Sequence, residues 1–297
     1  ALSFARATHV EGVDALETVL QGTLRGLRTG ATVSRVTISG GTAACVRIAA
    51  SENPAFDQCN VVQSRGSGVL CSGGGEFSAC VFTDNAENGM RCYEGSAPVL
   101  HACTIARNKR DGVWALKGRI TLASCEVREN GRYGLRLAFM DADVTRCTVV
   151  ENTEIGLSAS GTLRCVESTF KENGTTGVEL GSGELSLEMC TLAANGGRGI
   201  TCLQSGETAI VRCAITRNSG GGIGIVVVLA IVLARLSGTH GFTFEKRSDR
   251  ELEDDVHEFG GDVSETRRPV PWLIWLVFVG YFAWAALYVV WSGGHPV

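Results

Sequence analysis

CTIARNKRDGVWA (residues 103–115), CEVRENGRYGLRL (125–137) and CTVVENTEIGLSA (147–159) are three copies of one pattern. It reads Cys, any residue, apolar, two residues, Asn, three residues, Gly, apolar. Working outward, the pattern recurs every 21 to 23 residues. Its leading slot holds Cys80, Cys103, Cys125, Cys147, Ser168, Cys190 and Cys213. The asparagines are Asn85, Asn108, Asn130, Asn152, Asn173, Asn195 and Asn218, and the glycines are Gly89, Gly112, Gly134, Gly156, Gly177, Gly199 and Gly222. Two weaker copies come first, one at Val36 (Gly41 and Cys45 in the Asn and Gly slots) and one at Cys59 (Ser64 and Gly68). A fixed period means one structural unit stacked many times.

Within a unit the apolar residues alternate. Cys103 and Ile105 share one face, Val113 and Ala115 another, and Ile120 and Leu122 a third. Period two over four or five residues is a strand signal. Three short strands per unit, joined at Asn and Gly turns, predict one coil of a right-handed parallel β-helix, and coils about 4.8 Å apart share a continuous core. Nine coils are visible over 36–225. Asn is expected to take a left-handed turn conformation and to bond the Asn of the next coil, and Gly to supply a positive φ. The fold class is therefore all-β, a solenoid followed by one or two transmembrane helices. Residues 1–35 form an N-terminal cap region, in which Leu16 to Leu27 reads as a short amphipathic helix with no signal peptide before it. Residues 226–236 are a short apolar segment, 237–270 an acidic loop and 271–292 a transmembrane helix.

The repeat resembles the right-handed parallel β-helix proteins. These include pectate-lyase-like enzymes, periplasmic copper-maturation proteins and carbohydrate-binding or sugar-hydrolysis repeat domains, and the Asn–Gly unit is most similar to the last. The resemblance is specific for fold and weak for function, because one scaffold carries lyases, hydrolases and binding modules.

A net charge of −4 over 297 residues gives no nucleic-acid footprint. All twelve cysteines fall on the repeat. No CxxC pair or CxxCH occurs, so neither a zinc knuckle nor a covalent haem is encoded. The cysteines read as small buried hydrophobes, with no cofactor and no metal expected. Free thiols in this number suit a reducing compartment.

Residues two positions after each glycine face outward and stack in a row: Arg47, Leu70, Arg91, Trp114, Arg136, Ser158, Glu179 and Thr201. Arg91, Trp114 and Arg136 are expected on adjacent coils, where stacking and charge-assisted bonds would suit an acidic sugar. Cation–π packing without a ligand is the competing reading. A second row, just before the asparagines, contains Glu129, Glu151 and Glu172. These carboxylates suit a cation, acid–base work or a solvated edge relieved by Arg128 and Lys171. His9 and His101 are isolated. No catalytic residue is assigned, and the balance is against an enzyme.

Beyond Gly222 the composition changes without a linker, as at a fusion. Residues 223–234 are almost wholly Ile, Val, Leu and Ala. Trp272 to Trp291 is uncharged, long enough to cross a bilayer, and aromatic at both ends. Arg235, Lys246, Arg247, Arg250, Arg267 and Arg268 lie between the two apolar stretches, which puts that loop in the cytoplasm. One span would place the β-helix inside and two would place it outside, with a bacterial inner membrane as the expected location.

His257, Glu258 and Phe259, then Pro269, Pro271 and Trp272 leading into a span, resemble the N-terminal segment of the di-haem subunit of cbb-type haem–copper oxidases over about residues 240–297. The family's haem domains are missing here. The resemblance implies docking against an oxidase core subunit, not electron transfer. Three functions follow as expectations: a membrane-anchored module binding a glycan or protein partner, a polysaccharide lyase or hydrolase, and an accessory oxidase subunit.

Overall fold

The computed structural model describes residues 2–3, 8–223, 256–259 and 263–266. The chain divides into two units, 1–233 and 234–297.

In the first unit the coil beginning at Cys103 shows the construction. Thr104–Ala106 forms one strand, a turn carries Asn108, and Val113–Ala123 forms a long second strand bent at Lys117 (φ 49°). Ile105, Val113, Ala115, Ile120, Leu122 and Cys125 point inward and are fully or almost fully buried. Successive coils pair in parallel: Ile105 lies beside Val127, and Val113 beside Leu135. Ten of the short strands make one sheet, so the described residues contain nine steps from coil to coil. The inner wall is one continuous apolar cluster from Leu24 to Ile200.

Two column types lock the coils together. Each repeat Asn donates its Nδ2 to the Oδ1 of the next, from Asn85 through Asn108, Asn130, Asn152, Asn173 and Asn195 to Asn218, at 2.8–3.1 Å. The same Oδ1 also accepts the preceding Asn backbone N–H, as Asn130 Oδ1 does from Asn108 at 3.2 Å. The second amide hydrogen of Asn130 goes to the Ile105 carbonyl at 3.2 Å. Buried amides are thereby satisfied along the stack.

The leading cysteines form the other column. Each thiol donates to the carbonyl two residues earlier, as Cys103 does to His101 at 3.3 Å. Ser168 makes the same bond to Val166 at 2.9 Å, which explains how it replaces a cysteine. The thiols are free and, apart from the half-buried Cys202 and Cys213, buried. Burial pushes the Cys165 and Cys190 thiols up.

Three sequence expectations change. The left-handed residue of the Asn turn is the one before it (Asp84, Arg107, Glu129, Glu151, Glu172, Arg217; φ 51–56°), while the Asn stays in an ordinary region. The repeat glycine is required by proximity rather than by φ. A Cβ on Gly134 would lie 2.6 Å from the Gly156 carbonyl oxygen and 2.8 Å from Asn152 Nδ2. Leu16 to Leu27 holds no helix. Val19–Gln21 and Leu24–Arg25 are strands paired to the next coil, so the solenoid already runs through the region read as a cap. Alternation explains this: Leu20 is half-buried between the exposed Val19 and Gln21, and Leu24 is buried while Arg25 is exposed.

In the second unit Val256–Phe259 and Val263–Thr266 form an antiparallel pair, with His257 opposite Glu265. It falls inside the segment read as a loop. Among the described residues no helix is long and apolar enough to cross a membrane. The segments 226–236 and 271–292, together with Pro269, Pro271 and Trp272, lie outside them.

Candidate functional site

Parallel pairing that stays in register at this position of each coil turns it into a stripe. Arg25, Arg47, Leu70, Arg91, Trp114, Arg136, Ser158, Glu179 and Thr201 are consecutive partners. Arg91, Trp114 and Arg136 are thus direct neighbours. The Arg91 guanidinium sits over the Trp114 ring at 4.3 Å from its centroid and over Tyr93 at 5.1 Å. Arg136 sits over Tyr133 at 5.3 Å. Cation–π packing therefore accounts for part of the cluster without a ligand. It does not satisfy the hydrogen-bond donors: Arg91 Nε is buried and has no hydrogen-bond partner. Among the described residues the side chains of Arg47 and Arg136 make no hydrogen bond or ion pair.

Around this stripe the turns build a cleft of about 130 Å³, lined by Asn88, Arg91, Arg110, Asp111, Trp114, Arg132 and Arg136. Asn88, Arg110, Asp111 and Arg132 were not expected there. The available signal was the slot just before the repeat glycine, filled in successive coils by Ser67, Asn88, Asp111 and Tyr133. These residues form their own polar ladder. Asn88 Nδ2 donates to Ser67 Oγ at 3.3 Å, Asn88 Oδ1 accepts the Asp111 N–H at 3.1 Å, and Asp111 Oδ1 accepts the Tyr133 N–H at 3.3 Å. Burial pushes the Asp111 carboxyl above its ordinary value of 3.8, against the pull of the Tyr133 N–H, Arg132 and Arg136. Arg110 and Arg132 are drawn to the rim by Glu87 (3.9 Å) and Glu154 (3.3 Å).

Toward the N-terminal coils a wider cleft of about 520 Å³ continues the same face, lined in part by Arg25, Arg47, Glu52, Leu70 and Tyr93. Tyr93, packed against Arg91, joins the two. Its walls exist because the early coils break the second strand into two, Ser67–Cys71 and Gly74–Ser78 for example, with a corner between. From Val113 onward the strand runs through the corner.

The other stripe has a different character. Glu129 is ion-paired to Arg128, Glu172 to Lys171 at 2.7 Å, and Asp84 to Arg107 through two bonds of 3.1 Å. Arg107 holds the Asp84 carboxyl below its usual value. Glu151 is exposed between them. Among the described residues no group of three or more His, Cys, Asp or Glu is placed to hold a metal. His101 is exposed, and His9 bonds Glu11 at 3.2 Å.

Stacked parallel coils define a β-solenoid, and this one carries a cationic, aromatic cleft on its outer face. The right-handed beta helix region family matches residues 25–166 and 136–232, and the chain belongs to it. A double mutant of the periplasmic alginate epimerase AlgG is similar over 73% of this chain and 64% of its own, at 16% identity and a TM-score of 0.58. The chain thus spans less than two thirds of that protein. The A-module of mannuronan C-5 epimerase AlgE4 from Azotobacter vinelandii is similar over 73% of this chain and 81% of its own, at 12% identity and a TM-score of 0.48. Pectate lyase Pel9A covers 63% of this chain and 58% of its own, at 12% identity and a TM-score of 0.42. At such identities the likeness is one of fold. No curated protein matches the chain. The family match ends at residue 232, which leaves the oxidase resemblance of 240–297 without support.

Proposed function

We propose that this protein binds an acidic polysaccharide on the Arg91–Trp114–Arg136 face, as a binding or scaffold module. The observation that carries this is the Arg91 Nε, buried with no hydrogen-bond partner between two aromatic rings. A desolvated, unpaired cationic donor is costly unless an anion completes it. A carboxylate on a sugar ring would do so, and the ring would add apolar contact with the indole. The similar fold of an alginate epimerase agrees with an acidic glycan, although fold alone does not assign a ligand. Calorimetry with oligomannuronate and oligogalacturonate tests it. Binding should fall roughly tenfold in Arg91→Ala and in Arg136→Ala, one charge-assisted contact each. Failure of every acidic glycan to bind the wild-type protein would remove the reading.

A second reading is that the bound glycan is also transformed. Its observation is Asp111, the one carboxylate lining the cleft, which lies buried among four arginines with its pKa pushed up by that burial. The Glu129–Glu151–Glu172 stripe, the sequence-based candidate, supports this less, because its outer members are already paired. Prolonged incubation of an acidic oligosaccharide followed by NMR decides between them. Unchanged anomeric and ring-proton signals would leave a binder.

Membrane anchoring through 271–292 remains part of the proposal on sequence grounds, the uncharged run from Trp272 to Trp291. Carbonate extraction of membranes should leave the full chain in the pellet, and release into the supernatant would refute it. Association with a haem–copper oxidase core rests on the motif at His257–Phe259 and Pro269–Trp272 alone, and absence of haem in the purified complex would end it.

A further inference from the structure

The stripe alternates in chemistry as well as in register. From Arg47 the sequence of partners is cationic, apolar, cationic, apolar, cationic: Arg47, Leu70, Arg91, Trp114, Arg136. The alternation is bounded. Arg25 sits beside Arg47 with no apolar residue between. At the other end Ser158 bonds Glu179 at 3.3 Å, turning the stripe polar and then acidic.

Adjacent coils are about 4.8 Å apart, so like residues of the stripe recur every ~9.6 Å. That is close to the repeat of two pyranose rings in an extended 1,4-linked chain or in one that alternates 1,3 and 1,4 linkages. We infer that the ligand lies parallel to the solenoid axis, one sugar per coil, and presents to the protein one anionic group for every two sugars. Arg47, Arg91 and Arg136 receive the anions, while Leu70 and Trp114 receive the faces of the rings between. Five sugars fill the stripe. The Arg47–Leu70 half lies in the wider cleft and the Arg91–Arg136 half in the narrower one, so both clefts belong to one site.

This inference rests on the acidic-glycan reading and sharpens it. Two kinds of chain share the chemistry: an alternating copolymer with an acidic sugar at every second position, and a homopolyuronate whose two-fold twist turns alternate carboxylates away. In either, a carboxylate forced against Leu70 or Trp114 would be desolvated without a partner.

The test measures affinity of the full chain for tri- and hexasaccharides of mannuronate and for a hyaluronan hexasaccharide, with wild type and Arg47→Ala. The Arg47 side chain makes no hydrogen bond or ion pair among the described residues, and alanine keeps its strand backbone, so the variant should fold like wild type. The expected result is that Arg47→Ala weakens both hexasaccharides roughly tenfold and leaves the trisaccharide, seated over Arg91 to Arg136, within about twofold. Hyaluronan, with half the charge per ring, should bind within about threefold of mannuronate, because only inward-facing anions count. Equal losses for tri- and hexasaccharide, no loss for either, or a drop in hyaluronan binding of more than tenfold would overturn the two-coil repeat and leave the glycan reading standing. No binding of any oligosaccharide to wild type would overturn both.

Discussion

The inward column of asparagines and the outward stripe of arginines repeat with the same period, yet their polar atoms end in opposite conditions. Asn130 is fully buried, and its amide and carbonyl oxygen are bonded both to neighbouring asparagines and to backbone. Arg91, two coils earlier and facing out, keeps a buried Nε with no partner. The first column spends its hydrogen-bonding capacity on the next coil and holds the stack together. The second leaves that capacity for something outside the chain. A repeated polar residue is therefore structural when its neighbours complete it and available for binding when they do not. The acidic stripe of Asp84, Glu129 and Glu172 stands between the two, exposed but neutralised by adjacent basic residues.

The largest break in this comparison is Asn130→Ala. It strips an acceptor from the Asn108 amide and backbone N–H, and donors from Ile105 O and Asn152 Oδ1. A loss of about 4 kcal/mol in stability is expected by chemical denaturation, from several buried groups left unpaired. Glycan affinity per folded molecule should not change.

Arg91→Ala is the reciprocal experiment. Affinity should fall roughly tenfold while stability moves by less than about 1 kcal/mol, since the lost cation–π contact offsets removal of an unsatisfied donor. A large drop in melting temperature would make Arg91 a structural residue and erase the contrast.

Asp111→Asn sharpens it further. Asparagine keeps an acceptor for the Tyr133 N–H and removes the negative charge from the cleft, so acidic oligosaccharides should bind about threefold more tightly at neutral pH. The stability difference has a defined sign. The folded-state pKa is raised, so the wild-type protein loses stability as pH rises from the ordinary 3.8 through the folded value, and the loss is flat above it. Denaturation against pH should show wild type and variant converging at the acid end and the variant ahead at neutral pH.

The smallest effect belongs to Glu151→Ala, within about 0.5 kcal/mol in stability and without change in binding. Loss of either on this substitution would return function to the acidic stripe.

Much of this was legible in the repeat. Alternation at Cys103, Ile105, Val113 and Ala115 gave the strands, and the constant offset from glycine put Arg91, Trp114 and Arg136 on adjacent coils. The Asn-to-Asn bonding followed from the amide's two-sided chemistry. Other features were hidden. Asp111 and Asn88 sit in a slot whose residue type varies, so no column announced them. The left-handed position belongs to the residue before the asparagine, where Asp, Arg, Glu and Ala all occur, and composition gave no hint of it. The early coil at Val19–Gln21 and Leu24–Arg25 lacks the Asn and Cys markers and reads as helix until its partner strands are placed beside it.

The repeat specifies the solenoid, its inward and outward faces and the order of residues along each stripe. These depend on the period alone, because parallel stacking carries the positions flanking each Asn and Gly onto their counterparts, and the pairing slips only farther along the long strands, as between Leu137 and Met140. Which outward charges are left without partners is settled by the packing of the folded coils. Pairing depends on side chains of adjacent coils and of flanking turns meeting at hydrogen-bond distance: Glu87 reaches toward Arg110 and Glu154 reaches Arg132, while nothing reaches Arg91 Nε. That difference is one of a few ångströms between neighbours a coil apart, and no one-dimensional pattern records it.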